Sequence, residues 1–349
     1  MKLGTALRGL VSLAAVVLIF GVVLPRVADF ADVWRVLTGL TWLEAGTLGL
    51  AAAWNLVTYW ILAAWSLPGL TIPQAMVATE ASTALANSVP GGPAFGMGLT
   101  YSMYSSWGYS RPAVALAVTV SGFADLFAKL AMPAAALVFL FLYGDDSPGL
   151  VVAAVVGGGF LTGLIVIAVM TLKSEAGARR AGELCGRLAA PIMRRLGREP
   201  AILSDSFASF RTETLSLVNT RGWRLLGAAL MSHISLFLVL LLALRHVGVQ
   251  ESEVGWAEAL GAFAFIRFLS AVPITPGGLG VVELGLTAAL VYAGGPRAEV
   301  VAAVLVFRAL TYLVQIPFGA ITYTYWQHSR RWRKERPAAG PSAPGITPG

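Results

Sequence analysis

Charge is scarce in this sequence. Only 12% of its 349 residues are Asp, Glu, Lys or Arg, about half the share usual in soluble proteins. Too few charges remain to cover a water-facing surface of this size, which excludes a chain built of ordinary soluble domains. There is one cysteine, Cys185, so no disulfide can form within the chain. The three histidines, His233, His246 and His328, are scattered without metal-ligand spacing, which argues against a zinc site. Catalytic signatures are missing too. The sequence has no G-x-S-x-G, no H-E-x-x-H, no phosphate-binding P-loop and no framed pair of carboxylates. A non-enzyme without cofactor or metal is the expectation.

Apolar residues are abundant instead, at 57%, with a mean hydropathy of +0.74. The net charge is +7. An excess of base can signal nucleic acid or an anionic membrane surface. Here the basic residues lie in segments between apolar runs, which points to the membrane and away from nucleic acid. The first run, in MKLGTALRGLVSLAAVVLIFGVVLP, has no small-x-small site after it and many further runs behind it. It is expected to stay as a first span rather than to be cleaved as a signal peptide.

A spanning helix needs roughly 20 apolar residues. Six clear spans are expected, at about 7–24, 43–65, 112–142, 150–172, 223–244 and 298–326. Two further apolar stretches, about 75–107 and 257–293, are interrupted by Pro and Gly. Each is either a re-entrant hairpin of two half-helices or a pair of short spans, so each returns to the side it entered from. The expected fold is an all-α integral membrane protein, a single transmembrane domain over 1–336.

Basic residues set the orientation, because they are retained on the cytoplasmic side. With the N-terminus inside, the segment 173–224 and the C-terminal tail are both cytoplasmic, and with Lys2, Arg8 and Arg111, 18 of the 25 Lys and Arg residues fall inside. Arg26, Arg35, Arg245 and Arg297 fall outside, as does the loop of Asp145 and Asp146. This predicts a prokaryotic inner-membrane protein with both termini in the cytoplasm. The basic loop 173–222 reads as helical and close to the headgroups, with Ser204 or Asp205 as an N-cap. The tail 337–349, rich in Pro and Gly, should be disordered.

One segment recurs. ALANSVPGGPAFGMG at 84–98 aligns without gaps on FLSAVPITPGGLGVVELG at 268–285. Pro90, Gly91 and Gly92 fall on Pro276, Gly277 and Gly278, and Arg111 falls on Arg297. Repeat one covers about 43–142 and repeat two about 223–326. Given the orientation above, the first broken stretch opens from the cytoplasm and the second from outside. The repeats are therefore inverted with respect to each other, a hallmark of transporters with a midplane site between the copies. Pro ends a helix and Gly-Gly permits a sharp turn. The backbone groups freed there cannot face lipid tails, so they should line a polar cavity.

Ionisable groups within apolar spans are costly and usually face a cavity or a partner. The candidates are Glu80, Asp125, Lys129, Arg267, Glu283 and Arg308. Asp125 and Lys129 have the spacing of an i,i+4 ion pair. Arg267 and Glu283 flank the second Pro-Gly-Gly and could pair across a hairpin. Arg308 has no charged neighbour one turn away, so its partner must come from another helix or from a ligand. Its planar fork suits a phosphate. Glu283 and Arg308 are the leading candidates, and His233 reads as a buried residue.

The run PITPGGLGVVELGLTAAL, with Arg308 and Gly319 beyond it, resembles the bacterial and archaeal flippase-like family named for the transmembrane region of lysylphosphatidylglycerol synthase. The matching residues are Pro276, Gly277, Gly278, Gly280 and Glu283, and the first copy carries Met97 where Glu283 aligns. The resemblance implies movement of lipid between leaflets by a stand-alone membrane module without a transferase domain. Its partners would be membrane lipids with anionic or zwitterionic headgroups, and enzymes of lipid or glycan synthesis. Two other readings stand beside it: a secondary transporter of a small hydrophilic solute, and a non-catalytic partner of a lipid or glycan synthase.

Overall fold

The computed structural model describes residues 34–35, 38–89, 92–143, 203–270, 275–329 and 331–332, with side chains for all but 141–143, 203–219 and 276. The expected spans at 7–24 and 150–172 lie outside this set. So do Cys185, the Asp145–Asp146 loop, the first part of the basic loop, the tail, and Pro90 and Gly91. The described residues are helical, with no strand among them.

Helix α1, Trp42–Ser66, starts at a capping box: Thr41 Oγ1 accepts from the Glu44 N–H, and the Glu44 carboxylate accepts from the Thr41 N–H at 2.8 Å. This satisfies donors that a helix start would otherwise leave unpaired. The next box, Thr71 with Gln74, opens α2, Ile72–Ser88. There follow α3, Gly92–Ser106, and α4, Arg111–Tyr143. The second part of the chain comprises α5, Leu203–His246, α6, Trp256–Leu269, and α7, Val281–Tyr292. It ends with α8, Arg297–Arg308, and α9, Gln315–His328. A π-helical turn, Ala309–Leu313, joins the last two. Pro317 explains this turn, because it offers no N–H to the Leu313 carbonyl and its ring crowds that group. The ladder shifts register, and Val314 N–H bonds to the Ala309 carbonyl, five residues back.

Four helical stretches are long and apolar enough to cross a membrane: Trp42–Ser66, Arg111–Leu140, Thr220–His246 and Arg297–His328. They coincide with the four expected spans that fall among the described residues. The helices of the broken stretches are shorter, at 17 and 15 residues for α2 and α3 and 14 and 12 for α6 and α7. At 1.5 Å per residue each reaches roughly 18–26 Å, less than the ~30 Å hydrocarbon core. One difference concerns α5. The helix expected in the basic loop runs unbroken into the following span, since no proline separates Leu203 from His246.

The helices pack in a crossed pattern: α1 lies on α5, α2 on α9, and α6 on α4. Small residues make close approach possible, as is usual where lipid offers no hydrophobic drive for association. Gly319 is the clearest case, because a Cβ there would collide with Ala84 Cβ and the Glu80 carbonyl of α2. Large apolar side chains point outward, among them Leu50 (73% exposed) and Ile321 (66%), a surface suited to lipid rather than to water. At one end of the bundle Thr47 meets His246, and Phe139 stacks edge-on against Trp256. At the other, Trp326 bonds to Ser106, and Trp107 meets Trp332.

Candidate functional site

The end of α2 and the turn before α7 meet within the bundle. Gly277 has φ +56, a left-handed conformation that glycine adopts without penalty. Its Cα faces the Tyr312 ring and the Asn87 side chain, so a Cβ would strike the ring. Tyr312 in turn donates its hydroxyl to the Asn87 carbonyl at 2.8 Å, near the end of α2 and the first break. The π-helical turn thus carries a residue that ties both breaks together.

Behind this junction lies an ion pair. Arg308 Nε donates to Glu283 Oε1 at 2.6 Å, and Arg308 Nη2 donates to the Gly277 carbonyl at 3.1 Å. The guanidinium also lies over the Tyr312 ring, 4.3 Å from its centroid, a cation–π contact. Glu283 uses its second oxygen to cap α7, accepting from the Gly280 N–H at 2.6 Å. Its side chain is 2% exposed. The pairing of Glu283 with Arg267 expected across the hairpin does not form. Although α7 packs against α6 and α8 alike, both Glu283 oxygens are already taken, one by Arg308 Nε from α8 and the other by the Gly280 N–H.

The arrangement encloses a cavity of about 460 Å³, within the size range of small-molecule sites. Glu80, Asp125, Lys129, Arg267 and Arg308 all line it, as do Gly277 and Gly278. Glu283 stands one layer back and borders the cavity through Arg308. Asp125 and Lys129 form an ion pair at 2.6 Å. His233, fully buried on α5, approaches Asp125 with Nε2 at 3.1 Å. Glu80 is 1% exposed and accepts from Trp60 Nε1 at 2.7 Å. Gly92 begins α3, and Pro93 beside it reaches the cavity.

Several lining residues escaped the sequence reading: Asn55, Tyr59, Asn87, Tyr312 and Gln315. They are neutral, so a search for charges in apolar spans passes over them. Amides at Asn55, Asn87 and Gln315, embedded in helices otherwise rich in Ala, Leu and Val, were a readable signal. Asn55 is further occupied in holding α1 to α5, donating to the Ser232 carbonyl and Ser235 Oγ, both at 2.8 Å.

The family described as Lysylphosphatidylglycerol synthase TM region matches residues 8–319. No curated protein matches the chain. The match spans most of the sequence, and the chain belongs to that family.

Proposed function

We propose that this member of the lysylphosphatidylglycerol synthase transmembrane-region family moves lipids between leaflets, taking the headgroup into the cavity while the tails stay in the bilayer. The observation that carries the reading is the buried Glu283–Arg308 pair, fastened to the carbonyl of Gly277 in the second break. Ionisable groups at membrane depth are costly, are found paired or facing a cavity, and usually mark a substrate path. Here the pair borders a cavity lined from both broken stretches.

The crossed packing supports an inverted repeat. The first arm of each broken stretch lies on the last span of the other unit, α2 on α9 and α6 on α4, while the two first spans, α1 and α5, lie on each other. Exchanging the units leaves this pattern unchanged. The short arms then act as two re-entrant hairpins entering from opposite faces, and their rearrangement gives alternating access. The end that gathers Trp326 and Trp332 is the cytoplasmic one, with both termini on that side of a prokaryotic inner membrane. No nucleotide motif is present in the sequence, so movement is passive or ion-coupled.

The test is reconstitution. Purified protein in liposomes should move labelled phospholipids between leaflets, and Arg308→Ala should abolish that movement. Uptake of a hydrophilic solute without lipid movement would favour the secondary-transporter reading. No movement of either, with Arg308→Ala matching wild type in cells, would leave only a role as a partner of a synthase.

A further inference from the structure

Four of the six ionisable groups at the site are matched: Asp125 with Lys129, and Glu283 with Arg308. Two are not. Glu80 is 1% exposed, its Oε1 takes the Trp60 N–H, and its Oε2 is buried without any partner. Arg267 has a buried Nε without a partner, and no carboxylate among the described residues pairs with it. Both side chains line the same cavity, yet they do not meet. Glu80 comes from α2, which lies on α9, and Arg267 from α6, which lies on α4. One cavity therefore has a carboxyl with a free oxygen on one wall and, on another, a guanidinium that meets the Tyr59 hydroxyl but no carboxylate among the described residues.

A buried polar atom left without a partner is strongly unfavourable, more so when it is charged. Neither group is needed to hold a helix start or a turn, unlike Glu283. A purely anionic ligand would satisfy Arg267 and leave Glu80 facing like charge. A purely cationic one would do the reverse. A sugar could offer hydroxyls to both but would neutralise neither.

We propose that the cavity is a two-ended subsite for a zwitterionic phospholipid headgroup, its ammonium on Glu80 and its phosphodiester on Arg267. The inference rests on the lipid-transport reading and adds the headgroup class. Trp60 orients the Glu80 carboxylate by holding one oxygen and leaves the other for the ammonium. The neutral lining side chains Thr79 and Thr83 lie within one turn of Glu80, and Ser270 lies within one turn of Arg267. They supply further hydrogen bonds at each end. The Glu283–Arg308 pair is then a latch between the breaks rather than the headgroup contact.

The experiment uses the full chain in vesicles of phosphatidylglycerol carrying trace acyl-labelled lipids, with outer-leaflet label destroyed by a reductant. Three lipids are compared: phosphatidylethanolamine, its N-acetylated form, and phosphatidylglycerol. Wild type should move phosphatidylethanolamine roughly tenfold faster than the other two, the scale of one charged hydrogen bond. Glu80→Gln, which keeps the Trp60 bond, should collapse that ratio towards one, and Glu80→Asp should retain most of it. Arg267→Gln should slow phosphatidylethanolamine roughly tenfold, with partial recovery in Arg267→Lys. Equal rates for the three lipids in wild type, or an undiminished ratio in Glu80→Gln, would overturn the headgroup assignment and leave lipid transport standing. If wild type moves none of these lipids and no other phospholipid, both fall together.

Discussion

Glu283 divides its carboxylate between two duties, accepting from Arg308 Nε with one oxygen and from the Gly280 N–H with the other, each at 2.6 Å. One residue thus starts α7 and neutralises the cation of α8. Removing it leaves a guanidinium that is only 12% exposed without its counter-charge. Breaking a buried pair from one side costs about 3–5 kcal/mol, whereas replacing both partners by apolar residues is often near neutral. Glu283→Ala should therefore lose about that much stability in detergent unfolding, and Glu283→Leu with Arg308→Met should regain at least half of it. The double variant should still fail to move lipid. Equal stability of the single and double variants would refute the coupling.

The junction of the breaks makes a separate prediction. Gly277→Ala imposes a left-handed conformation on a residue with a Cβ and drives that Cβ into the Tyr312 ring. Strain of this kind costs about 1–3 kcal/mol, and the collision adds to it. Adding Tyr312→Ala should relieve the collision but not the strain, so stability should recover only in part. Tyr312→Phe alone should cost about 0.5–1.5 kcal/mol, the usual net worth of its hydroxyl bond to Asn87. Thermal melting of the four proteins separates these terms.

How much of this was legible in the sequence follows from the range of each interaction. The spans α1, α4 and α8–α9 were readable because length and apolar composition are local. The Asp125–Lys129 spacing was readable for the same reason, since one helix turn joins the two residues. The Glu283–Arg308 pair was not, because α7 packs against both α6 and α8, and which of the two cations its carboxylate meets is set by how the helices rotate against one another, which no local pattern encodes. The same limit hid Tyr312, whose position follows from a register shift that Pro317 causes four residues after Leu313. The continuous α5 was missed because a change from polar to apolar composition near residue 220 looked like a boundary, though nothing there breaks a helix.

Asp125, Lys129 and His233 form the other charged group at the cavity. Lys129→Met leaves the Asp125 carboxylate with only His233 beside it, and Asp125→Asn leaves the ammonium alone. Each single change should lower the melting temperature more than the double change Asp125→Asn with Lys129→Met, because the double removes both charges. The stability of the double variant then makes its transport rate interpretable. A stable double variant that moves lipid normally identifies this pair as structural, and one that does not places it on the pathway.

The orientation can be tested without transport. Ser110 and Ser252 are both exposed residues in turns, the first between α3 and α4 and the second between α5 and α6. The proposed inverted hairpins would put them on opposite faces of the membrane, and the proposed orientation would place Ser110, beside Arg111, on the cytoplasmic side. Replacing the single cysteine by Cys185→Ser gives a background in which each position can be probed alone. In intact cells a membrane-impermeant maleimide should label Ser252→Cys and spare Ser110→Cys, and permeabilising the cells should expose the second. The packing already demands that α1 and α5 run antiparallel, since the start of one, Thr47, bonds to the end of the other, His246, at 2.8 Å. Labelling of both positions from outside would therefore break the hairpin assignment itself, because no rotation of the whole bundle could account for it.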